Sequence, residues 1–340
     1  MSLTASSVEQ PGDSEFHEPE GDDKAAGKVG VEGRSPAKLA WARFRKDRLS
    51  MVSFSVVVLF FAIAVLTPIL VAAGVLKPQD SNQDLLNLMT GGLPTEGMSL
   101  AHPFGIEPGT GRDLLSRILL GTTLSMTIAL SGAIITVIIG TVLGIIAGFT
   151  GGVVDGVIGR IIDLTLSFPS TLMLLALSQV VVDRMLDLGI PSGPNGAFVN
   201  GFYIVIVLAA FGWPPVARLI RGQVLSIRER EFVDAARLMG ASRPRIYFKE
   251  ILPNLWAPIL VYFTLLMPAY VSAEAALSYL GVGIKNPTPT LGNVLSGALL
   301  YADSYPLFFF TPAIFIAVIV ISFNLLGDGA RDALDPKAGR

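Results

Sequence analysis

The chain has 340 residues, 51% of them hydrophobic and only 15% charged, with a mean hydropathy of +0.61 and a formal net charge of −2. That balance excludes an ordinary soluble domain and points to a polytopic membrane protein, since about 20 apolar residues suffice for one span. The lack of cysteine excludes disulfides, thiol catalysis, iron–sulfur clusters and thiolate zinc sites, and two histidines, His17 and His102, exclude a histidine-rich metal site.

Residues 1–37 form a polar tail rich in acid, with Glu9, Asp13, Glu15, Glu18, Glu20, Asp22 and Asp23. Its composition predicts disorder, and it lacks the basic start and early apolar core of a secretory signal. Residues 38–50 open with KLAWARFRKDR, a basic amphipathic stretch carrying Trp41 and Phe44 that predicts an interfacial helix. A six-span domain is expected over 51–330, with spans at 51–76, 123–149, 161–182, 202–219, 255–282 and 305–326, and a C-terminal tail over 331–340. In the second span Gly140, Gly144 and Gly148 repeat every four residues, placing a small-residue stripe on one helix face. The stripe suits packing within the chain or a sliding contact with a sister subunit.

Lys and Arg are distributed unevenly. With the N-terminus inside, the cytoplasmic segments hold 8 in the tail, Arg160, 8 from Arg218 to Lys249, and 3 at the C-terminus; the outer segments hold Lys77, Arg112, Arg117, Arg184 and Lys285. This asymmetry predicts cytoplasmic termini and a cytoplasmic 221–254 loop.

That loop is the most charged internal segment. Residues 231–239 are good helix formers without Gly or Pro. Gly240 suits a left-handed helix end, Ser242 an N-cap, and Pro244 the first turn of a second short helix. Ala235, Ala236, Gly240 and Ala241 would form a small-residue corner, with Arg237, Arg243, Arg245 and Lys249 around it to steer a partner. Two readings stand side by side: a docking corner for another protein, or an amphipathic helix on the headgroups.

The order Asp234-Ala235-Ala236, Gly240, Leu252-Pro253 resembles the EAA coupling loop of ABC-importer permeases, with Asp234 in place of Glu and Glu250 in place of the motif's Ile. Three further segments narrow the likeness: HPFG at 102–105 with GRDLLSR at 111–117, EAALSYLGVGIKNPTPTLGNVLS at 274–296, and FNLLGDGARDALDP at 323–336. Over residues 38–337 the chain resembles the second permease subunit of dipeptide, oligopeptide and nickel ABC importers. In the outer loop, Gly105-Ile106-Glu107 departs from the commoner Gly-Thr-Asp. The resemblance implies an all-α fold of six transmembrane helices, the type I importer permease fold with a cytoplasmic coupling helix, in a bacterial inner membrane. It implies a homologous second permease, two ATP-binding subunits that carry ATP and Mg, an extracytoplasmic substrate-binding protein, a peptide substrate and no nucleic acid. It also assigns Glu231, Asp234, Ala235, Ala236, Arg237, Gly240, Ala241, Ser242, Leu252 and Pro253 to the ATPase-coupling interface.

Other polar residues keep two readings each. Arg112, Asp113 and Arg117 either anchor an outer loop through an ion pair or meet the delivery protein. Glu274, a carboxyl within a span, and Tyr279 either line the path or gate, or form a satisfied structural group with Ser272 and Ser278. Asp163 lies where water or Arg160 would reach it. No GxxxxGK[ST] phosphate cradle occurs, nor any hydrolytic constellation, so the chain is not expected to be an enzyme and carries no cofactor of its own. An ATP-independent secondary transporter or channel is the other class considered, but spans 51–76 and 123–149 hold no ionisable group for ion coupling.

Overall fold

Asp47 sets where the first membrane helix begins. In the computed structural model, which describes residues 36–334, α1 runs Pro36–Phe44 and α2 runs Arg48–Ala72. Asp47 caps α2 by accepting from the backbone N–H groups of Leu49 and Ser50, and the Ser50 hydroxyl also donates to it; these bonds hold its carboxyl below the usual range. The interfacial helix expected over 38–50 is therefore split, its last residues forming the first turn of α2. Most of the acidic tail lies outside the described residues, as do 335–340.

From α2 the chain passes through a connecting segment with a short antiparallel pair, β1 (Leu86–Asn87) against β2 (Leu93–Pro94). Next come α3 (Leu114–Thr150), α4 (Gly152–Ser167), α5 (Ser170–Asp187) and α6 (Ala197–Ile227). Two short helices, α7 (Glu231–Leu238) and α8 (Arg243–Arg245), precede α9 (Trp256–Tyr279), α10 (Leu291–Ala298) and α11 (Pro306–Leu334). Among the described residues, five helices are long and apolar enough to cross a membrane: α2, α3, α6, α9 and α11.

The segment expected as the third span, over 161–182, is not a single helix. It is a bent pair, α4 and α5, meeting at 84°. The cause is local: a residue before proline is pushed out of the helical region, and Phe168, preceding Pro169, sits at φ −90°, ψ 133°. Prolines inside α2, α6, α9 and α11 do not end these helices.

At the centre lies α3. Its 37 residues span about 55 Å, more than the ~30 Å hydrocarbon layer, so its ends project beyond the apolar zone. The glycine stripe faces α6 of the same chain: a Cβ at Gly140 would lie 2.5 Å from Val216 Cβ, at Gly144 2.8 Å from the Ala217 carbonyl oxygen, and at Gly148 2.8 Å from Val224 Cβ. Small residues on this face let the two backbones approach, and α6 occupies the whole stripe.

Candidate coupling surface and outer gate

At one end of the bundle, α7 carries Glu231 and Asp234 in its first turn and Arg237 in its last, the arrangement that suits the helix dipole. Val233 and Ala236, three residues apart, turn inward. With Ile246, Ile251 and Leu255 they pack onto Ile145 of α3 and Val216, Ile220 and Val224 of α6. The opposite face is exposed, Leu238 at 90% and Met239 at 80%. The helix ends in a Schellman turn: the N–H of Gly240 donates to Arg237 and that of Ala241 to Ala236, both at 3.0 Å. Gly240 has φ +76° and no atom within 4 Å of a Cβ placed there, so glycine serves the backbone and the corner stands open.

Ser242 occupies the N-cap of α8, but its hydroxyl makes no cap bond. The second helix is not regular: it widens into a π turn over Ile246–Ile251 and a 3-10 turn at Leu252–Asn254. The departure at Glu250 falls inside that π turn. The buried place is taken one residue later by Ile251, which is fully enclosed, while Glu250 lines a shallow cleft with Gly240, Ser242 and Arg245. Leu252 is half-buried and Pro253 exposed at the entry to α9.

The corner is tied to α3. The Arg237 guanidinium lies 4.8 Å from the Phe149 ring centre, Phe149 packs edge-on to Tyr247 at 5.1 Å, and the Tyr247 and Thr150 hydroxyls are 3.2 Å apart. Arg237 also donates to Asp234 at 3.1 Å, an exposed pair of little energetic weight. Beside it, Arg228 donates to the Gly148 carbonyl at 3.0 Å and Arg221 to Asp155 of α4 at 2.7 Å. The partner of Asp163 is Arg218, at 2.7 Å, in place of the expected Arg160.

Toward the opposite end Glu274 is wholly enclosed. It accepts from the hydroxyls of Ser125 at 2.6 Å and Ser278 at 2.7 Å. Ser125 in turn accepts the Leu291 N–H at 3.2 Å, at the start of α10. Thr290 and Asn293 close a reciprocal capping box there. Gly292 allows the approach: a Cβ on it would fall 2.6 Å from Ala275 Cα. The carboxyl thus joins α3, α9 and α10 from inside, whereas Tyr279, one turn beyond, is 46% exposed. Sequence reasoning placed Ser278 beside Glu274, four residues away, but had no local signal for Ser125, which lies 149 residues away.

Arg117 is also buried. It pairs with Glu107 and donates to the Pro287 carbonyl and the Asn286 side chain, both at 2.9 Å. Asp113 caps α3, accepting the Ser116 N–H at 2.7 Å, and lies 2.9 Å from His102 Nδ1. Both side chains are committed inside the chain; Arg112 is half-exposed, and its backbone carbonyl accepts from Glu107.

Residues 140–340 match the family described as binding-protein-dependent transport system inner membrane component, and residues 35–89 match the N-terminal TM domain of oligopeptide transport permease C. The oligopeptide transport system permease protein OppC of Bacillus subtilis (strain 168) is 35% identical over 312 residues, covering 92% of this chain and 93% of that one. The dipeptide transport system permease protein DppC of Alkalihalophilus pseudofirmus is 35% identical over 303 residues, 89% of this chain and 90% of that one. The glutathione transport system permease protein GsiD of Salmonella typhimurium is 35% identical over 311 residues, 89% and 91% of the two chains. Among solved structures, a chain of the inward-facing MetNI methionine ABC transporter superposes with a TM-score of 0.51 at 17% identity, covering 65% of this chain and 96% of that one; this likeness speaks to fold alone. The chain belongs to the binding-protein-dependent transport system inner membrane components, and its helical bundle has the fold of an ABC importer permease.

Proposed function

We propose that this chain is a permease subunit of an ATP-driven importer that carries short peptides into the cytoplasm. The observation that carries the reading is the open Gly240 corner, exposed on one side and bonded on the other to the inner end of α3. Relatives named for oligopeptides, dipeptides and glutathione stand at the same 35% identity, and their cargoes share amide-linked amino acids. An ATP-independent carrier is not favoured, because the family depends on a binding protein.

The partners follow from this role: a homologous permease, two ATP-binding subunits that hold ATP and Mg, and a binding protein that delivers peptide outside. Both termini and α7 face the cytoplasm in this reading, which the Lys and Arg asymmetry supports. ATP closes the two ATP-binding subunits, and α7 follows the one it rests on. Because α3 runs from the Phe149–Tyr247 contact to Ser125 and Arg117, movement at its inner end reaches α10 and the outer loops through one rigid element. Differential docking of α7 in the two states is what shifts the bundle between inward- and outward-open forms. The test is Gly240→Asp, which places a charge on the corner with no atom within 4 Å of the new Cβ, read against Gly240→Asn, which bears the same backbone strain at φ +76° without the charge. Gly240→Asp should assemble in the membrane and lose ATP-driven peptide uptake; normal uptake would overturn the reading.

A further inference from the structure

The inner ends of four helices enclose an apolar groove that the coupling account leaves unused. Trp41 and Phe44 of α1, Phe54 of α2, Phe263 of α9, and Leu326 and Ala330 of α11 form its walls. The rings are ordered against one another: Trp41 stacks on Phe44 at 5.7 Å, and Phe54 stands edge-on to both at 6.1 Å. Thr264 is the polar side chain on this wall, and its hydroxyl already donates to the Val261 carbonyl at 2.8 Å. Nothing in the groove asks for water or a polar ligand.

The chain just past Phe44 has the opposite character. Arg45, Lys46 and Arg48 are exposed where α2 enters the membrane, and among the described residues no carboxylate pairs with them. The nearest acid in sequence, Asp47, is committed to capping α2. An apolar slot therefore opens beside a cluster of cations at the cytoplasmic interface.

We propose that this groove binds one anionic phospholipid of the cytoplasmic leaflet, an acyl chain lying on Trp41, Phe44 and Phe54 and the phosphate held by Arg45, Lys46 and Arg48. Basic clusters immediately inside a membrane helix attract anionic headgroups, and the aromatic walls supply the apolar half of the ligand's match. The acidic N-terminal residues would satisfy the cations but have few large apolar side chains for the walls. A lipid satisfies both.

Tryptophan quenching by brominated lipids tests the proposal in the assembled transporter, reconstituted in nanodiscs. The Trp41 signal is the difference between the wild-type complex and Trp41→Phe. Brominated phosphatidylglycerol should quench it about fivefold more effectively per mole than brominated phosphatidylcholine, roughly the effect of one basic contact at an anionic surface. The exposed triple variant Arg45→Gln, Lys46→Gln, Arg48→Gln should abolish that preference while leaving assembly intact. Equal quenching by the two lipids in the wild-type complex would overturn the proposal. So would a preference that survives the triple variant, or quenching that develops only after removal of residues 1–35, which would make the acidic segment the occupant.

Discussion

Arg117→Met removes the guanidinium and keeps only an unbranched apolar stem. Arg117 and Glu107 are 1% and 6% exposed, so solvent cannot replace what is lost. Glu107 would keep the Thr110 hydroxyl, 2.8 Å away, as its side-chain donor. Breaking a buried ion pair from one side costs about 3–5 kcal/mol. The Pro287 carbonyl and the Asn286 side chain also lose their donor, which adds roughly 1 kcal/mol or more, short of full additivity. Arg117→Met should therefore destabilise the loops around Glu107 and Asn286 by about 4 kcal/mol. Arg117→Lys keeps the charge but loses the fork, and should cost about 2 kcal/mol. Glu107→Gln in the Arg117→Met background should restore about 2 kcal/mol, because no bare carboxylate is then left enclosed. Denaturant unfolding of the purified complex supplies the energies, and hydrogen exchange over 105–113 and 282–290 shows where they act. A cost below about 1 kcal/mol for Arg117→Met, with no recovery from Glu107→Gln, would refute the reasoning.

Other substitutions probe the remaining contacts. Gly144→Leu drives a side chain into the Ala217 carbonyl and Ile220, and should cost about 1–3 kcal/mol or prevent assembly, whereas Gly159→Leu, with nothing within 4 Å, should be tolerated; equal thermal stability of the two variants would deny the α3–α6 approach. Glu274→Leu leaves the Ser125 and Ser278 hydroxyls without their acceptor, at about 1–3 kcal/mol each, and should raise exchange in α10; Glu274→Gln, which retains an acceptor, should cost less than half as much. Identical exchange in the two Glu274 variants would remove the carboxyl from its joining role.

Hydropathy placed five of the expected spans on long apolar helices but mistook their ends, because counting apolar residues misses how far a helix continues once capped. Asp113 starts α3 at Leu114, well before the apolar run at 123, and α6 continues past Arg218 and Arg221, whose charges meet Asp163 and Asp155 of α4. The bend at Pro169 was legible in principle, since Phe168-Pro169 sits inside an apolar stretch, but hydropathy weighs such a pair as two ordinary residues. The Gly240 corner was read correctly as far as its left-handed turn, which is a local matter. What sequence could not give was distant: Ser125 beside Glu274, the Asn286–Pro287 segment on Arg117, and the π turn that exchanges Glu250 for Ile251. Those arise from how helices far apart in the chain are brought together, and no spacing records them.

The central claim is that the α7 corner rests on an ATP-binding subunit and not on lipid headgroups. The chain has no cysteine, so Leu238→Cys gives one reactive site on the exposed face, and Leu100→Cys gives an exposed outer control. Each is labelled with a benzophenone maleimide in the native membrane, irradiated, and its adducts identified by mass spectrometry. The account predicts a cross-link from position 238 to the ATP-binding subunit, changed in yield by ATP, and none to that subunit from position 100. Adducts from position 238 to lipid alone, with or without ATP, would contradict it.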